Sequence, residues 1–567
     1  MSLAPLAPLA AQNRPDVAGM HAAVTSDHPL ATAAGADVLR RGGNAVDAAV
    51  TMAAVLAVVR PHMNGVGGDA FILVRDAKTG KVSALNGSGR AGSRATPEFF
   101  AGRGLKKIPS TGILSVSVPG AVRAWADVLA RFGTITLAQA LAPAIRYAEE
   151  GFPVSEKLAR DIAGERGKVE ADPVLAAVFL PGGAVPKPGT ILREPELAAT
   201  LKAIAAGGPD VVYKGEVAQK IAAFMEKEGG LLTAADLAKH TSTWTEPIGV
   251  EHGGYRILEF PPNSQGATLL EELNIAENFD LKALGWNSAP YIHTLVAIKD
   301  RAFADRDRYI ADPEFAKVPV DLMLSKEHAR ELAAQIKQQA ADGADGGVDE
   351  RGSGGAGDRR GGVPHSSTRP LSHSSSPEDG DGDTVYLSAV DEQGNAVSWI
   401  QSLFASFGSG RMVPGTGIVL QNRGSLYSLD PKHPNIVAPG KRPYHTLMPG
   451  MALRPGGELA FTFGTPGGDG QPQTLLQVLS NLLVFGMMPQ SAIEAPRWRG
   501  YEDGRLGVEP GIPQDVRDRL QALGHRVFVQ DGSAADFGGA QVIWVPAGTH
   551  ARITGADPRR EAYGIAW

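Results

Sequence analysis

One tract divides this 567-residue chain into two parts of different composition and constrains how it can fold. From Asp342 to Asp383 there are 42 residues, of which 11 are Gly, 7 are Ser and 3 are Pro. Its large aliphatic residues are only Val348, Val363 and Leu371. Such a stretch cannot bury enough apolar surface to offset its ordering entropy, so it is predicted to be disordered. Loops of this length are uncommon inside a compact domain, which predicts that the tract either has a function or is cut.

The two sides of the tract carry different periodicities. Before it, helices are predicted over Leu30–Arg41 and, capped by Asn44, over Ala45–Val59. A charged helix follows over Tyr291–Tyr309, whereas strand patterns such as TVYLSAVD and NAVSWIQSLF dominate after the tract. We therefore predict a helix-rich part over 1–341, a disordered linker over 342–383 and a strand-rich part over 384–567. The first and third parts should form one globular unit.

Composition excludes several classes of function. The chain has no cysteine, which excludes disulfides, iron–sulfur clusters, cysteine zinc sites and cysteine nucleophiles. Covalent catalysis would then need Ser, Thr, Lys or a carboxylate. With 55 basic and 61 acidic residues the net charge is -6, which is not typical of nucleic-acid binding.

Cofactor, metal and membrane signals are weak. No Gly-Lys pair is followed by Ser or Thr, and neither H-E-x-x-H nor G-x-S-x-G occurs. The glycine-rich Asn64–Asp69 precedes a strand, as a tight turn would, whereas a dinucleotide fingerprint follows one. The longest apolar run, Ala48–Val59, is shorter than the roughly 20 residues that span a bilayer, and the N-terminus lacks a basic region. We expect a cytoplasmic protein with no cofactor, no metal, no nucleic-acid partner and no membrane segment.

Thr384 begins the first strand after the tract. A threonine there is ordinarily structural, because Thr favours strands. Its position directly after the flexible Gly382-Asp383 is, however, typical of an N-terminal nucleophile released by self-cleavage. The freed α-amine, with a pKa of about 7.7 to 8.0, could then act as the base.

Three further motifs each have a structural and a functional interpretation. The glycine-rich segment Gly464–Pro472 is either a plain loop or an oxyanion hole, in which backbone N–H groups approach a developing negative charge. Arg90, in a loop of small residues, is either a surface ion-pair residue or a clamp for a substrate carboxylate. The run Asp300–Asp307 is more typical of a salt-bridged helix face than of an active site.

Together these segments resemble the gamma-glutamyltransferase family of N-terminal-nucleophile hydrolases. The resemblance covers roughly residues 19 to 567 outside the linker, in DHPLATAAGADVLRRGGNAVDAAV, NGVGGDAFILV, SVSVPGAV, FPPNSQG, AFADRDRYIADP, TVYLSAVDEQGNAVS, FGSG, PGKRP and GTPGGDGQPQT. It implies an α+β fold, a four-layer αββα sandwich. It also implies a precursor that cuts itself before a Thr, leaving a large and a small chain in one unit.

Carried over to this chain, the family's catalytic residues fall on four positions. The nucleophile falls on Thr384, so the cut would separate Asp383 from Thr384. A hydroxyl that hydrogen-bonds the nucleophile falls on Ser402, and the oxyanion-hole glycines fall on Gly467 and Gly468.

The substrate-binding positions depart from the family pattern. Its carboxylate-binding arginine falls near Arg90, whereas an ungapped count places it on Ser88. Where the transferases hold the glutamate α-amine, this chain has the residues Phe404, Arg423 and Leu426, and their paired serines correspond to His445-Thr446. Without amide or acidic partners an ammonium group would be left unpaired, at a cost of a few kcal/mol. Arg90, Arg423, His445 and Thr446 are the candidate substrate-binding residues.

These departures resemble the hydrolase-like branch of the family, which includes oxamate amidohydrolase and cephalosporin-acylase-like proteins. We predict an amide hydrolase or acyltransferase that acts on a gamma-glutamyl amide, such as glutathione, or a related carboxylate-bearing amide. Alternatives are an amidohydrolase for oxamate-like or glutaryl amides, and a non-catalytic paralogue that only binds a ligand. A serine hydrolase on an α/β sheet is disfavoured because the nucleophile elbow is missing. The expected partners are a small-molecule amide and the two chains of one precursor, which could dimerise further.

Overall fold

The computed structural model describes residues 14–345, 382–530 and 535–567. Most of the predicted linker, residues 346–381, lies outside the described residues. The described residues form 21 strands: β1 (Val17–Gly19), β2 (Ala23–Ser26), β3 (Asp69–Arg75), β4 (Val82–Asn86), β5 (Phe152–Pro153), β6 (Ile191–Leu192), β7 (Thr243–Thr245), β8 (Ile248–His252), β9 (Tyr255–Glu259), β10 (Gly382–Val390), β11 (Ala396–Ala405), β12 (Met412–Val413), β13 (Ile418–Val419), β14 (Gly450–Leu453), β15 (Leu459–Gly464), β16 (Trp498–Gly500), β17 (Arg505–Val508), β18 (Arg526–Val529), β19 (Gln541–Trp544), β20 (Arg552–Ala556) and β21 (Tyr563–Ala566).

Helices surround these strands. Within the described ranges they are α1 (Pro29–Arg40), α2 (Ala45–Val59), α3 (Pro97–Ala101), α4 (Ala121–Phe132), α5 (Leu137–Glu150), α6 (Glu156–Gly164), α7 (Arg166–Glu170), α8 (Pro173–Phe179), α9 (Pro195–Gly207), α10 (Asp210–Tyr213), α11 (Glu216–Lys227), α12 (Ala234–Ala238), α13 (Gly266–Ala276), α14 (Leu281–Leu284), α15 (Ala289–Tyr309), α16 (Val320–Met323), α17 (Lys326–Asp345), α18 (Gly470–Leu483), α19 (Pro489–Glu494) and α20 (Gln514–Ala522). Short 3-10 helices lie at Ile113–Ser115, Pro181–Gly183, Arg423–Leu426, Ala535–Phe537 and Pro558–Arg560.

Two antiparallel seven-stranded sheets organise the molecule. Sheet I has the order β21-β2-β10-β11-β3-β4-β7, and sheet II has the order β1-β20-β19-β15-β14-β9-β8. In both sheets, strands that precede the linker pair with strands that follow it. A cut within the linker would therefore leave both chains hydrogen-bonded within the same two sheets.

The hydrophobic residues form three main layers of core. Between sheet I and the helices on its outer face, the core includes the apolar residues of α2, a helix in which every residue is buried. Side chains such as Phe71, Ile400 and Met451 fill the space between the sheets. Sheet II packs on a third layer with α13, α15 and α18. The order helix, sheet, sheet, helix is the predicted αββα sandwich.

Local sequence explains why several elements begin where they do. The side chain of Asn44 accepts hydrogen bonds from the first turn of α2, and Asp47 bonds back to the Asn44 N–H, as a capping box requires. Helix α2 matches its predicted bounds, and α15 begins two residues before its prediction. Helix α17 continues to Asp345, so the first residues of the predicted linker are helical. In the described part of the chain, no helix is long and apolar enough to cross a membrane.

Candidate active site

Thr384 lies at an irregularity near the start of β10. Asp383 pairs with Phe404 of β11, but the next paired residues are Val385 and Gln401. The register therefore shifts here: Ser402 and Leu403 of β11 together lie opposite Thr384, as in a β-bulge on β11, which re-aims the bulged side chains. Thr384 is fully buried in the uncut chain.

The hydroxyl of Ser402 contacts both sides of the Asp383–Thr384 peptide. Thr384 Oγ1 donates to Ser402 Oγ at 3.2 Å, and Ser402 Oγ donates to the carbonyl oxygen of Asp383 at 2.7 Å. The backbone N–H of Phe404 donates to the same hydroxyl at 2.6 Å. One side chain thus orients the candidate nucleophile and the carbonyl that precedes it.

Asp383 forms a buried ion pair that the sequence did not predict. Its Oδ1 lies 2.6 Å from Nη1 of Arg560, and only 7% of Asp383 is exposed. Burial lowers the pKa of Arg560, but the Asp383 carboxylate outweighs that effect, and the pKa is raised overall. The pair holds the residue before Thr384 in the interior.

A second buried carboxyl, Asp27, supports the same strand. Its Oδ2 accepts from the N–H of Tyr386 at 2.7 Å, and its Oδ1 accepts from Nε2 of Gln541 at 2.8 Å. Burial raises its pKa to about 7, although the Tyr386 hydrogen bond and the charge of Arg60 oppose this. A carboxyl whose pKa lies near neutral pH is therefore bonded to Tyr386, the residue two positions after Thr384 on β10.

The glycine loop, which is the part of Gly464–Pro472 between β15 and α18, carries the predicted oxyanion hole. At the end of β15, a Cβ on Gly464 would lie 2.1 Å from the ring of Tyr386, so β15 approaches β10 closely near Thr384. Gly467 has φ 124° and Gly468 has φ 53°, conformations that favour glycine. The Gly467 carbonyl accepts from the N–H of Gly470 at 2.8 Å, which fixes the turn.

Residues at the start of α13 and within α15 contact the glycine loop. Nε2 of Gln265, at the start of α13, donates to the carbonyl oxygens of Gly468 at 3.0 Å and Thr446 at 2.9 Å. From α15, the buried Arg306 contacts Asp469 at 3.0 Å and Asp307 at 2.7 Å. The charged stretch of α15 is therefore salt-bridged, as predicted, and it also anchors the glycine loop.

Arg423, which the sequence placed in the substrate site, is fully buried. Its Nη1 donates to Thr446 Oγ1 at 3.0 Å, and its guanidinium carbon lies 4.5 Å from the centroid of the Phe404 ring. Its Nε and Nη2 have no hydrogen-bond partner in the described ranges 14–345, 382–530 and 535–567. Burial lowers the pKa of Arg423 to about 9, although nearby Asp69 opposes the shift.

His445 is held by Asp69 in the interior. Its Nε2 lies 3.1 Å from Asp69 Oδ2, and both residues are fully buried. Burial drives the pKa of His445 well below its usual value, with a further lowering by Arg423, so the imidazole is neutral. Burial also raises the pKa of Asp69 to about 6, against the opposing charge of Arg423. His445 is therefore placed to orient the segment that carries Thr446.

Arg90 already has partners of its own. Its Nη2 contacts Glu314 Oε1 at 2.7 Å, and its Nη1 donates to the Gly440 carbonyl at 2.9 Å. Ser88, the other position for the family arginine, is buried, and its Oγ accepts from Nδ2 of Asn263 at 3.3 Å. Of these candidates, Arg423 is the cation with unused donors.

One group of potential metal ligands lies elsewhere. Oxygen or nitrogen atoms of Glu271, Asp305 and His328 all lie within 4.8 Å of one another. His328 Nε2 contacts Asp305 Oδ2 at 2.6 Å, and burial, with Asp305 beside it, raises the pKa of Glu271 to about 10. The raised pKa favours a protonated Glu271, and among the described contacts the cluster touches none of the residues around Thr384.

The site joins residues that the sequence predicted to residues that it missed. Thr384, Ser402, Phe404, Arg423, Thr446 and the Gly467-Gly468 loop are linked by direct contacts or through a single shared partner. Gln265 and Asp69 lie inside the quoted stretches FPPNSQG and NGVGGD, but no role was inferred for them. The arrangement combines a hydroxyl, a neighbouring carbonyl and a glycine loop, which are the parts of a nucleophilic acyl-transfer site.

Comparison with known proteins gives a consistent result. A family model described as gamma-glutamyltranspeptidase matches residues 31–567. The glutathione hydrolase-like YwrD proenzyme of Bacillus subtilis is 38% identical over 97% of this chain and 99% of its own length. The oxamate amidohydrolase proenzyme of Klebsiella pneumoniae is 36% identical over 90% of this chain and 92% of its own. The crystal structure of cephalosporin acylase from Bacillus halodurans superposes with a TM-score of 0.88 at 38% identity, covering 100% of this chain and 99% of that one. The resemblance and the fold class predicted from the sequence are confirmed, as is the prediction of an enzyme.

Proposed function

Because this chain belongs to the gamma-glutamyltranspeptidase family, we propose that it is a self-processing amide hydrolase or acyltransferase with Thr384 as its nucleophile. The observation that carries the proposal is the Ser402 hydroxyl, which contacts both Thr384 Oγ1 and the Asp383 carbonyl oxygen. Relatives that are named proenzymes support a processing step.

In processing, Thr384 Oγ1 attacks the carbonyl carbon of Asp383. A C–O bond forms, the C–N bond to Thr384 breaks, and the hydroxyl proton moves to the departing nitrogen. Ser402, which donates to the carbonyl oxygen, stabilises the negative charge that develops there. Water then hydrolyses the ester, leaving a carboxylate on Asp383 and a free α-amine on Thr384.

Processing also opens the site. In the uncut chain Gly382 and Asp383 pair with Ala405 and Phe404, and Thr384 is fully buried. Once the peptide bond is cut, the two residues before it can leave β11. The precursor is therefore inactive on external substrates, and processing activates it.

Turnover repeats the same chemistry on an external amide. The Thr384 α-amine, with a reference pKa of about 7.7 to 8.0, takes the hydroxyl proton as Oγ1 attacks. The N–H groups of Gly467 and Gly468 stabilise the oxyanion. The amine product leaves with the proton, and water or an acceptor amine then releases the acyl group.

The substrate is an amide whose acyl group carries a carboxylate. Arg90, Arg423, His445 and Thr446 are the candidate contacts, and gamma-glutamyl amides such as glutathione are one such class. A second candidate function is hydrolysis of a carboxylate-bearing amide that has no α-amine, such as an oxamate-like or glutaryl amide. It is favoured by Phe404 and Arg423, which present a ring and a cation where an ammonium group would need acceptors.

The test combines processing and turnover. Purified protein should separate into chains of about 40 and 19 kDa, in proportion to 383 and 184 of 567 residues in a 59.3 kDa chain. The processed protein is then assayed on a gamma-glutamyl anilide, oxamate and a glutaryl anilide. A chain that stays uncut, and is stabilised by these compounds without consuming them, would instead be a non-catalytic binding protein.

A further inference from the structure

The guanidinium of Arg423 has more donors than its surroundings use. Arginine carries five N–H donors, and leaving buried donors unsatisfied is costly. Here Nη1 bonds to Thr446 Oγ1, whereas Nε and Nη2 lack partners anywhere in the described ranges. The residue is fully buried, so bulk water does not satisfy these groups. Such a cation is suited to an anionic ligand.

Arg423 is connected to the nucleophile through Phe404. Its guanidinium carbon lies 4.5 Å from the Phe404 ring centroid, and the Phe404 N–H donates to Ser402 Oγ at 2.6 Å. Ser402 in turn lies 3.2 Å from Thr384 Oγ1. Phe404 has φ 81°, which is unfavourable for a bulky residue, so its backbone is strained. Strain of this kind persists where surrounding structure enforces it, often at ligand sites.

A second connection leads to the glycine loop. Thr446, the one hydrogen-bond partner of Arg423 in the described structure, has its carbonyl oxygen held by Gln265 Nε2 at 2.9 Å. The same amide nitrogen holds the Gly468 carbonyl at 3.0 Å. Arg423 is therefore fixed relative to both the nucleophile and the glycine loop.

Nearby charges leave the cation available. Asp69 is the strongest acidic influence on Arg423, ahead of Asp469, but its Oδ1 accepts from Gly89 and Gln421 and its Oδ2 from His445. The pKa of Arg423, lowered by burial to about 9, still leaves it protonated at neutral pH. His445, which faces the same carboxylate, is neutral.

We propose that Arg423, with Thr446, binds a carboxylate at the far end of the acyl group, so that the site takes monoamides of dicarboxylic acids. A planar guanidinium can bind a carboxylate through two parallel hydrogen bonds, and Nε and Nη2 have no partner among the described residues. An acyl group with an ammonium beside that carboxylate would bring a second cation to Arg423, so gamma-glutamyl amides are disfavoured. The inference rests on the proposed function and names its substrate class.

The experiment uses the processed protein and matched anilides. Each pair has acyl groups of equal length, one ending in a carboxylate and one in a methyl group: oxalyl and acetyl, succinyl and butanoyl, glutaryl and pentanoyl. A gamma-glutamyl anilide has the same carbon chain as the glutaryl anilide, with an ammonium on the carbon next to the carboxylate. We expect the carboxylate member of at least one pair to have a kcat/KM higher than its neutral partner by about 10- to 100-fold, and glutaryl to exceed gamma-glutamyl.

Three variants locate the effect. Arg423→Met removes the charge and keeps the volume, and it should lower the carboxylate-to-neutral ratio by at least about tenfold. Arg423→Lys keeps the charge but lacks the planar guanidinium that binds a carboxylate through two hydrogen bonds, and it should give an intermediate carboxylate-to-neutral ratio. Arg75→Met is the matched control: this buried arginine bonds to the carbonyls of Gly394 and Gly457 at the other end of β3 from Asp69, and its loss should leave the ratio near that of the wild type. Cleavage into two chains shows that each variant folds.

Binding of the free acid separates this inference from the proposed function. Calorimetry with oxalate, succinate and glutarate on processed protein should show binding that Arg423→Met weakens and Arg75→Met does not. If the wild type binds a diacid in this way but hydrolyses no anilide, the proposed function fails and the inference stands. The inference is overturned if the ratio is unchanged in Arg423→Met, if Arg75→Met abolishes it instead, or if gamma-glutamyl is the preferred anilide.

Discussion

Two fully buried arginines lie close to Thr384, and their surroundings differ. Arg560 contacts the Asp383 carboxylate at 2.6 Å, so its charge is paired within the precursor. Arg423 has a threonine hydroxyl and an aromatic face beside it, and two of its nitrogens lack partners among the described residues. A buried charge is stable only when it is paired or strongly hydrogen-bonded. The difference supports the proposal that Arg423 is paired only when substrate binds, whereas Arg560 is already paired in the uncut chain.

Each arginine also has a buried aspartate in its neighbourhood. Arg560 influences Asp27, whose pKa burial raises to about 7, and Arg423 influences Asp69, whose pKa burial raises to about 6. Arg560 is paired with Asp383 at 2.6 Å, whereas Arg423 donates a hydrogen bond to Thr446 Oγ1 at 3.0 Å. Both arginines therefore lie near a buried aspartate whose pKa is raised. They differ mainly in that Arg560 is paired with the Asp383 carboxylate, whereas Arg423 has two nitrogens without a partner among the described residues.

The largest effect is expected at Thr384, which lies between the surroundings of Arg560 and those of Arg423. Thr384→Ala removes the hydroxyl that the proposed processing and turnover both need, so the chain should stay at 59.3 kDa and turnover should fall by at least about 1,000-fold. Intact mass and anilide hydrolysis measure the two outcomes. Thr384→Ser keeps a hydroxyl and is the matched control, which should still cut, more slowly. Normal cleavage by Thr384→Ala would exclude Thr384 as the nucleophile.

Arg560→Ala should disrupt the precursor. It leaves the Asp383 carboxylate buried and unpaired, which typically costs about 3 to 5 kcal/mol. The uncut chain should melt at a lower temperature and be processed more slowly, as followed by the small chain appearing on a denaturing gel. The double variant Asp383→Ala with Arg560→Ala removes both charges and should be less destabilised than Arg560→Ala alone. Additive effects would show that the ion pair contributes no coupling.

Asp27 should make stability depend on pH. Its pKa is about 7 in the folded chain and ordinarily 3.8, so between these values the folded state holds a proton that the unfolded state has lost. Its contribution is complete below about pH 4 and disappears as pH rises through 7, at about 1.4 kcal/mol per pKa unit. The Tm should therefore fall over that range, and Asp27→Asn should flatten the fall. Parallel Tm curves for the two proteins would contradict the assignment.

The sequence predicted the layers, the nucleophile candidate and the glycine loop, because those depend on local pattern or on a quoted motif. The prediction of helix α2 depended only on its capping residue and its apolar residues. The choice of Thr384 depended only on the change of composition directly before it. The Asp383–Arg560 pair was not predictable, because its members are 177 residues apart and neither belongs to a local pattern. The bulge opposite Thr384 depends on the register between β10 and β11, which no single-strand pattern specifies. Asp69 was assigned to a tight turn because its partners, His445 and Gln421, come together only in the fold.

The smallest effect is expected at Thr446, and it distinguishes the two arginines most directly. Thr446→Val keeps the shape of the side chain but removes the hydroxyl that accepts from Arg423 Nη1. A hydrogen bond from a charged group is worth about 1.5 to 3 kcal/mol, and substrate or water can replace part of it, so KM for a carboxylate-bearing anilide should rise about 3- to 10-fold. Processing should proceed at the wild-type rate, because the contacts of Asp383 are untouched. Thr446→Ser keeps the hydroxyl and should keep the KM. If Thr446→Val slows cleavage as much as it raises KM, the two arginines do not have separate roles, and the division between precursor and substrate drawn from their contacts is wrong.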